Sequence, residues 1–257
     1  MNSPWYLPRV PEPEEMDSSD EVAVYNSAAA EDHLDRIDDT FVEHLLRLLP
    51  EQCRSHQGAE AGLPSTKVEP TPRSLTVAAL LELPGLDIGC GPAQIPVKLL
   101  LRLPHLRMVA LDGAPNMLRC ARQNAVEARV GDRLRLAQGD GKQLPFAAGA
   151  FSIVTCNSVL HHARDPLALL REIRRVAAPG AAILLRDLRR PAFPMQRLHL
   201  WLHGRKYRGL MRQLFAASVR AAYTSDELAI MLRTVPIPGA HVFRYKGAHI
   251  GIERAAV

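Results

Sequence analysis

The stretch Leu86-Asp87-Ile88-Gly89-Cys90-Gly91-Pro92-Ala93-Gln94 constrains this chain more than any other. It reads as a short apolar strand that runs into a glycine turn and opens a helix, the sequence form of a strand–loop–helix ligand site. Gly89 and Gly91 carry no Cβ and can take positive φ, so backbone there can pass within contact distance of a ligand at the carboxyl end of a strand. A second apolar run closes on Asp112, where a carboxylate can accept hydrogen bonds from both hydroxyls of a ribose. A dinucleotide fingerprint would place its third glycine at position 94. Gln94 stands there instead, which argues against a nicotinamide cofactor.

From this motif onward, apolar runs and helical periodicities alternate. Helices are predicted at Ala93 to Leu103 and Pro115 to Ala128, and strands at Arg107 to Leu111, Leu134 to Gln138 and Phe151 to Cys156. Asp165-Pro166 supplies an N-cap and first-turn proline for another helix, which Pro179-Gly180 should stop before a strand at Ala182 to Arg186. Repeated strand–helix units of this length imply a parallel sheet with right-handed crossovers, with the ligand at the strands' carboxyl ends. A helical stretch from Pro191–Pro194 to about Ala222 follows, then a helix capped by Thr224 or Ser225. The tail, Ala240 to Tyr245 and His249 to Glu253, alternates around Gly247 like a hairpin.

A further passage carries chemistry: Gly139-Asp140-Gly141-Lys142-Gln143-Leu144-Pro145-Phe146, then Phe151-Ser152-Ile153-Val154 and Asn157-Ser158-Val159-Leu160-His161-His162. A carboxylate after the third strand can accept from an adenine amino group, and Leu144 with Phe146 can wall the ring. Together with D-x-G-x-G at Asp87 to Gly91, these residues resemble the class I S-adenosylmethionine-dependent methyltransferases, in particular small-molecule enzymes of the quinone-pathway C-methyltransferase type. The match spans roughly residues 86 to 187, with Arg171-Glu172-Ile173 and Pro179-Gly180 in register. The opening Pro11 to Asp17 and the later Arg186-Asp187-Leu188 resemble a bacterial group within that family.

The resemblance implies an α/β, Rossmann-like class I methyltransferase fold, with a seven-stranded, mostly parallel sheet ending in an antiparallel hairpin. It implies S-adenosyl-L-methionine as cofactor, a small-molecule acceptor, and a cofactor site of Asp87, Gly89, Cys90, Gly91, Asp112, Gly113, Met117, Asp140, Gly141 and Asn157. His161, His162 and Asp187 are the candidate catalytic residues, as polar groups at the carboxyl ends of the fourth and fifth strands. The sequence departs from the pattern at Ala93, Gly141, Ser152 and Ala181, each an exchange among small residues or the loss of a surface-facing acid. Base-amine methyltransferases acting on nucleic acid carry an Asn/Asp-Pro-Pro-aromatic motif where this chain has Asn157-Ser158-Val159-Leu160, so a nucleic-acid substrate is not expected. A cofactor-binding interaction protein without turnover is the rival from outside the enzymes.

The rest of the chain frames this domain, expected over residues 74–257. Residues 1–50 read as an acidic arm with prolines at 4, 8, 11 and 13, followed by lid helices near Asp20 to Ala30 and Asp32 to Leu49. Residues 51–73 read as a polar loop or insertion, and Leu75 to Leu83 as a helix or the start of the first strand. Residues 186–222 form a basic helical segment on the substrate side, with Arg189, Arg190, Arg197, Arg205, Lys206, Arg208, Arg212 and Arg220 against the single acid Asp187. This segment is expected either to dock the acidic arm as a lid, with Tyr25 or Tyr207 near the mouth, or to receive an anionic or lipid-like substrate. Cys53, Cys90, Cys120 and Cys156 lie far apart with no C-x-x-C pair, so they signal neither a disulfide framework nor a cysteine metal site. With no targeting or transmembrane signal in the sequence, a reduced cytoplasmic protein is expected.

Overall fold

A computed structural model describes residues 5–13, 16–29, 32–54, 80 and 82–257. Three helices come first: α1 (Ser19–Ala29), α2 (Asp32–Leu48) and the single turn α3 (Glu51–Arg54). The rest of the polar 51–73 segment and most of the 75–83 segment fall outside the described residues. Then follow β1 (Gly85–Ile88), α4 (Gln94–Arg102), β2 (Met108–Asp112), α5 (Pro115–Glu127), β3 (Leu134–Gln138), β4 (Phe151–Asn157), α6 (Pro166–Val176) and β5 (Ala177–Leu188). The chain ends with α7 (Phe193–Gly204), α8 (Gly209–Ala221), α9 (Ser225–Thr234) and the hairpin β6 (His241–Tyr245) and β7 (His249–Arg254).

The seven strands form one sheet in the order β3-β2-β1-β4-β5-β7-β6. The first five are parallel, and β7 runs antiparallel to both β5 and β6. The strand order reverses at β1, which lies between β2 and β4, so the loops after β1 and β4 part there and open a crevice at the carboxyl edge. The parallel strands are apolar on both faces because helices cover both. On one face, α6 turns Leu169, Leu170, Ile173 and Val176 inward. Its start is set by Asp165, whose side chain accepts from the Ala168 amide, with Pro166 in the first turn. On the other face, Phe41, Val42 and Leu45 of α2 join Leu99 and Leu100 of α4 in one apolar cluster with Met108 and Leu184 of the sheet. Helix α2 is therefore built into the core of the sheet domain.

Two expectations change. Helix α6 ends at Val176, three residues before Pro179-Gly180, and β5 begins at Ala177, where Phe151 pairs with Ala177 before the register shifts ahead of Ile153 and Ala182. The Pro-Gly pair thus sits in an irregular start of β5, and Gly180, at φ +79, accepts a hydrogen bond from the Val257 amide. Ser152 does not face solvent: it is buried, and its hydroxyl donates to the Leu83 carbonyl at 2.7 Å, tying β4 to the approach of β1.

Candidate active site

A cavity of about 910 Å³ opens at the crevice. All ten expected cofactor residues line it, together with His161 and His162. Its floor is the end of β1. Asp87 is fully buried there and accepts a 2.6 Å hydrogen bond from Thr155 Oγ1 of the neighbouring β4. Burial pushes its carboxyl up to about 7, and the nearby Asp112 and Asp38 add to the shift, while the Thr155 bond opposes it.

Beyond Asp87 the backbone turns through Gly89 (φ 67), Gly91 (φ 51) and Ala93 (φ 59). A Cβ at Gly89 would run into the Val159 side chain, so the glycine leaves a hollow that a side chain would fill. Asp112 closes this loop from the next strand: Oδ2 accepts from the Gly91 amide at 2.7 Å and Oδ1 from the Ala114 amide at 2.9 Å. Each carboxylate oxygen has a second lone pair for a ligand hydroxyl. Gly113 follows this acid, and Met117, in the first turn of α5, is buried beside it.

The third wall is residues 139–142; Leu144 and Phe146, expected to wall a ring, do not line the cavity and pack instead into the core, Phe146 edge-on to Phe151. Asp140 Oδ1 accepts from the Lys142 amide and pairs with Lys142 Nζ, both at 2.8 Å, which lowers its carboxyl despite partial burial. A Cβ at Gly141 would lie 2.9 Å from Ile88 Cγ2, so the glycine standing where the family pattern has alanine lets this loop sit close on β1. Helix α6 clamps the loop from behind, with Glu172 accepting from the Leu144 amide and Arg175 donating to the Leu144 and Phe146 carbonyls. Asn157, at the end of β4, accepts from Arg186 Nε at 3.2 Å.

These features fit S-adenosylmethionine: a side-chain-free hollow over a buried carboxylate, a two-oxygen acceptor at the end of β2, and a further acid on the turn after β3. The volume also lies near the upper end of the ~300–1,000 Å³ of small-molecule pockets, leaving room for a second small ligand.

A family profile for a methyltransferase domain matches residues 86–185, from β1 into β5. Over that span the chain is similar to methyltransferase domains, and its sheet has the fold of solved S-adenosylmethionine-dependent methyltransferases. The chain is 30% identical over 147 residues to the demethylmenaquinone methyltransferase of Desulfitobacterium hafniense, a match that covers 57% of this chain and 58% of that protein. It is 34% identical over 119 residues to the ubiquinone biosynthesis O-methyltransferase of Xanthomonas campestris, covering 44% of this chain and 48% of that protein. The chain thus spans only about half of the length of these relatives, 58% and 48%. An O-methyltransferase family protein from Burkholderia thailandensis shares the fold, with a TM-score of 0.58 at 14% identity over 92% of this chain and 60% of that chain.

On the side of the cavity beyond β4, His161 Nδ1 lies 2.6 Å from Asp187 Oδ1, and the His161 amide donates to Asp187 Oδ2 at 2.9 Å. Both side chains are 2% exposed. Asp187, expected as a catalytic residue, does not line the cavity; its side chain reaches that wall through His161. Burial disfavours both charges, yet each partner more than offsets it for the other: His161 is raised above its ordinary value and Asp187 lowered below its own. His162 is held down at about 4 by burial and by its charged neighbour, and its Nδ1 lies 3.0 Å from the Pro13 carbonyl.

The N-terminal arm lies over this corner, against the 186–222 segment. The contacts run through backbone and through the arm's own Arg9. The Val10 amide donates to the Arg220 carbonyl, the Phe193 amide to the Trp5 carbonyl, and Arg9 donates to the His161 carbonyl while its guanidinium sits 4.4 Å over the Tyr223 ring. Asp17 accepts from the Asn116 amide at the start of α5. Tyr207 is buried and lines the cavity, whereas the side chain of Tyr25 lies outside the described residues.

Sequence reasoning missed three partners. Thr155 precedes Cys156 in an apolar run and gave no sign of reaching Asp87. Arg186 is fully buried, bonded to Thr40 Oγ1 and the Ile37 carbonyl of α2, and lies 4.8 Å over the Phe41 ring. Glu12 looked like one of several solvated arm acids, but Oε2 lies 3.5 Å from His161 Nε2.

Proposed function

We propose that this protein transfers a methyl group from S-adenosylmethionine to a small electron-rich acceptor of the phenol or quinol class. The observation that carries the reading is the Gly89–Gly91 hollow closed by Asp112 at the strand switch point, beside a cavity with room for an acceptor. The names of the relatives from Desulfitobacterium hafniense and Xanthomonas campestris, a demethylmenaquinone methyltransferase and a ubiquinone biosynthesis O-methyltransferase, support a quinone-type ring.

Bound there, S-adenosylmethionine supplies an electrophilic methyl group on a sulfonium. Asp112 would hold the ribose hydroxyls, Asp140 the adenine amino group, and Asp87 with the Gly89 loop the amino-acid end. Alignment of the acceptor contributes most of the acceleration, because in-line transfer needs little covalent help. His161 is the candidate proton acceptor: its Nδ1–H is held by Asp187, its Nε2 faces Glu12 at 3.5 Å, and the ring lines the cavity, so a proton taken up there would be shared with Glu12. His162 would shape the same wall in its neutral form.

Helix α7 supports a lipid-like acceptor. Phe193, Met195, Leu198 and Trp201 are about half exposed on it, with Arg197 and Arg205 close in sequence. Among the described residues no helix is long and apolar enough to cross a membrane. The four cysteines are free, two of them buried, which fits a reducing, cytoplasmic setting.

The test is calorimetric titration with S-adenosylmethionine and S-adenosylhomocysteine, followed by release of the latter with a panel of catechols and quinols. Micromolar binding that is lost in Asp112→Ala and Asp140→Ala, with turnover on a ring acceptor, supports the reading. Binding without turnover on any acceptor favours an interaction protein, and absence of binding ends the enzyme reading. Co-sedimentation with anionic liposomes tests the lipid-like acceptor: no binding at low salt removes that part.

A further inference from the structure

Glu12, His161 and His162 each place one donor atom within 4.8 Å of the other two. Glu12 Oε2 lies 3.5 Å from His161 Nε2 and 3.7 Å from His162 Nδ1. Both Glu12 Oε2 and His161 Nε2 are buried without a hydrogen-bond partner, and the His161 side chain is 2% exposed. These two buried atoms face each other at 3.5 Å, within ion-pair range but too far apart for a good hydrogen bond and too close to admit a water. The spacing is that of two ligands sharing one ion: bonds of about 2.0–2.2 Å at tetrahedral angles put neighbouring donors a little over 3 Å apart.

The surroundings match a metal site in a second respect. His161 presents Nδ1 to Asp187 at 2.6 Å, which fixes the ring and points Nε2 at Glu12, the carboxylate–histidine arrangement that orients metal-ligating imidazoles. The other side of the Glu12 carboxylate is held by the Ser218 hydroxyl of α8. His162 Nδ1 is within donating distance of the Pro13 carbonyl at 3.0 Å, so binding an ion through this nitrogen would displace its proton and release that carbonyl. Two imidazoles and one carboxylate form a donor set for borderline first-row divalent cations, and His161 and His162 line the cavity, so a remaining coordination position can face it.

We propose that Glu12, His161 and His162 bind a divalent transition-metal ion of the zinc type, with Asp187 as the positioning residue behind His161. The ion staples the N-terminal arm to the loop after β4, and so closes one side of the cavity. The cost of gathering two histidines and a buried acid at one point then has a counterpart in the ligand they hold. If the methyltransferase reading stands, the ion takes over the Nε2 lone pair of His161 and draws charge from an acceptor oxygen; that consequence alone rests on the reading.

The experiment uses the full chain, stripped with a chelator and titrated with Co²⁺ and then Zn²⁺. One equivalent of Co²⁺ should bind with visible d–d bands of a four- or five-coordinate site, Zn²⁺ should displace it, and the arm should become resistant to limited proteolysis. Glu12→Gln and His161→Asn should abolish the bands, and Asp187→Asn should weaken binding about 10- to 100-fold. Asp20→Asn, an exposed acid near the arm, should bind normally. Glu12→Gln changes one arm side chain and guards against a result caused by misfolding. Absence of Co²⁺ bands in the native protein overturns the proposal, as does binding that survives Glu12→Gln but is lost in His203→Asn, which would place the ion at the His199–His203 pair of α7. S-adenosylmethionine titration of the same samples keeps the two readings apart, because metal binding without cofactor binding would sink the methyltransferase reading and leave the ion site standing.

Discussion

The Gly91 amide donates to Asp112 Oδ2 at 2.7 Å, so the glycine loop after β1 is latched to the acid at the end of β2 before any ligand arrives. The latch preorganises both halves of the ribose site, since the same carboxylate also accepts from the Ala114 amide at the mouth of α5. In Asp112→Asn, one oxygen becomes an NH₂ group and faces a backbone N–H. That leaves a donor without an acceptor, at a cost of about 1–3 kcal/mol. We expect a loss of cofactor affinity of at least tenfold and a lower melting temperature, measured by calorimetry and thermal denaturation. Native-like affinity in this variant would mean that the latch does not organise the site.

Asp87 ties stability and cofactor binding to pH. Its folded pKa is raised to about 7 from 3.8, so the native state holds the proton more tightly than the unfolded chain does. Stability from this group is therefore greatest below about pH 4, falls as pH rises toward 7 and is flat above, with a total on the order of 4 kcal/mol. Asp87→Asn should gain stability relative to the native protein as pH rises from 5 to 8. A cationic cofactor favours the ionised carboxylate, so its affinity should strengthen up to about tenfold per pH unit below 7 and then level off. The variant should show a flat profile. A native profile with no slope between pH 5.5 and 7.5 would contradict the assignment.

The His161–Asp187 pair sets a second window. His161 is raised above 6.5, so its contribution is present in full below about pH 6.5 and is lost as pH climbs through its folded value. Asp187 is lowered below 3.8, so its contribution is present above about pH 4 and is lost as pH falls through its folded value. Chelator-treated protein should thus gain most from the pair between about pH 4 and 6.5. The difference in melting temperature between native protein and Asp187→Asn should peak in that window and shrink on either side. A difference independent of pH would reduce the aspartate to a packing role.

How much of this was legible depended on sequence distance. The β1 motif, Asp112, the Gly139–Lys142 turn and the strand–helix alternation could be read because each is a local pattern of period, turn chemistry or cap, and the motif, the acid and the turn meet at one cavity. The hairpin around Gly247 was legible for the same reason. What stayed hidden required two distant segments to meet. Glu12 reaches His161 only because Trp5 and Val10 dock their backbones on α7 and α8, and nothing in an acidic arm announces which acid will be buried. Arg186 has the same explanation: a strand-end arginine reads as exposed until α2 folds over it. Ser152 was misread as surface-facing because β4 lies in the middle of the sheet with both faces covered, so a polar residue in it need not point to solvent.

Position 93 offers the sharpest test of how this loop tolerates its departure from the family pattern. Ala93 is fully buried at φ 59, a left-handed conformation that costs a Cβ-bearing residue roughly 1–2 kcal/mol. Replacing it with glycine would relieve that strain. The replacement also removes a buried methyl group worth about 0.8 kcal/mol and raises unfolded-chain entropy by about 0.4–1 kcal/mol. The opposing effects nearly cancel, so Ala93→Gly should change stability by less than about 1 kcal/mol. At Gly89 nothing offsets the same strain, because an added Cβ meets Val159 as well as the left-handed backbone at φ 67. Gly89→Ala should therefore cost about 2–4 kcal/mol and abolish cofactor binding. Adding Val159→Ala should recover the steric part and leave the backbone part, as read by denaturant melts of the four corners of the cycle. If Gly89→Ala is instead as mild as Ala93→Gly, the hollow after β1 is not held open by the glycine, and the principal support for the cofactor site is removed.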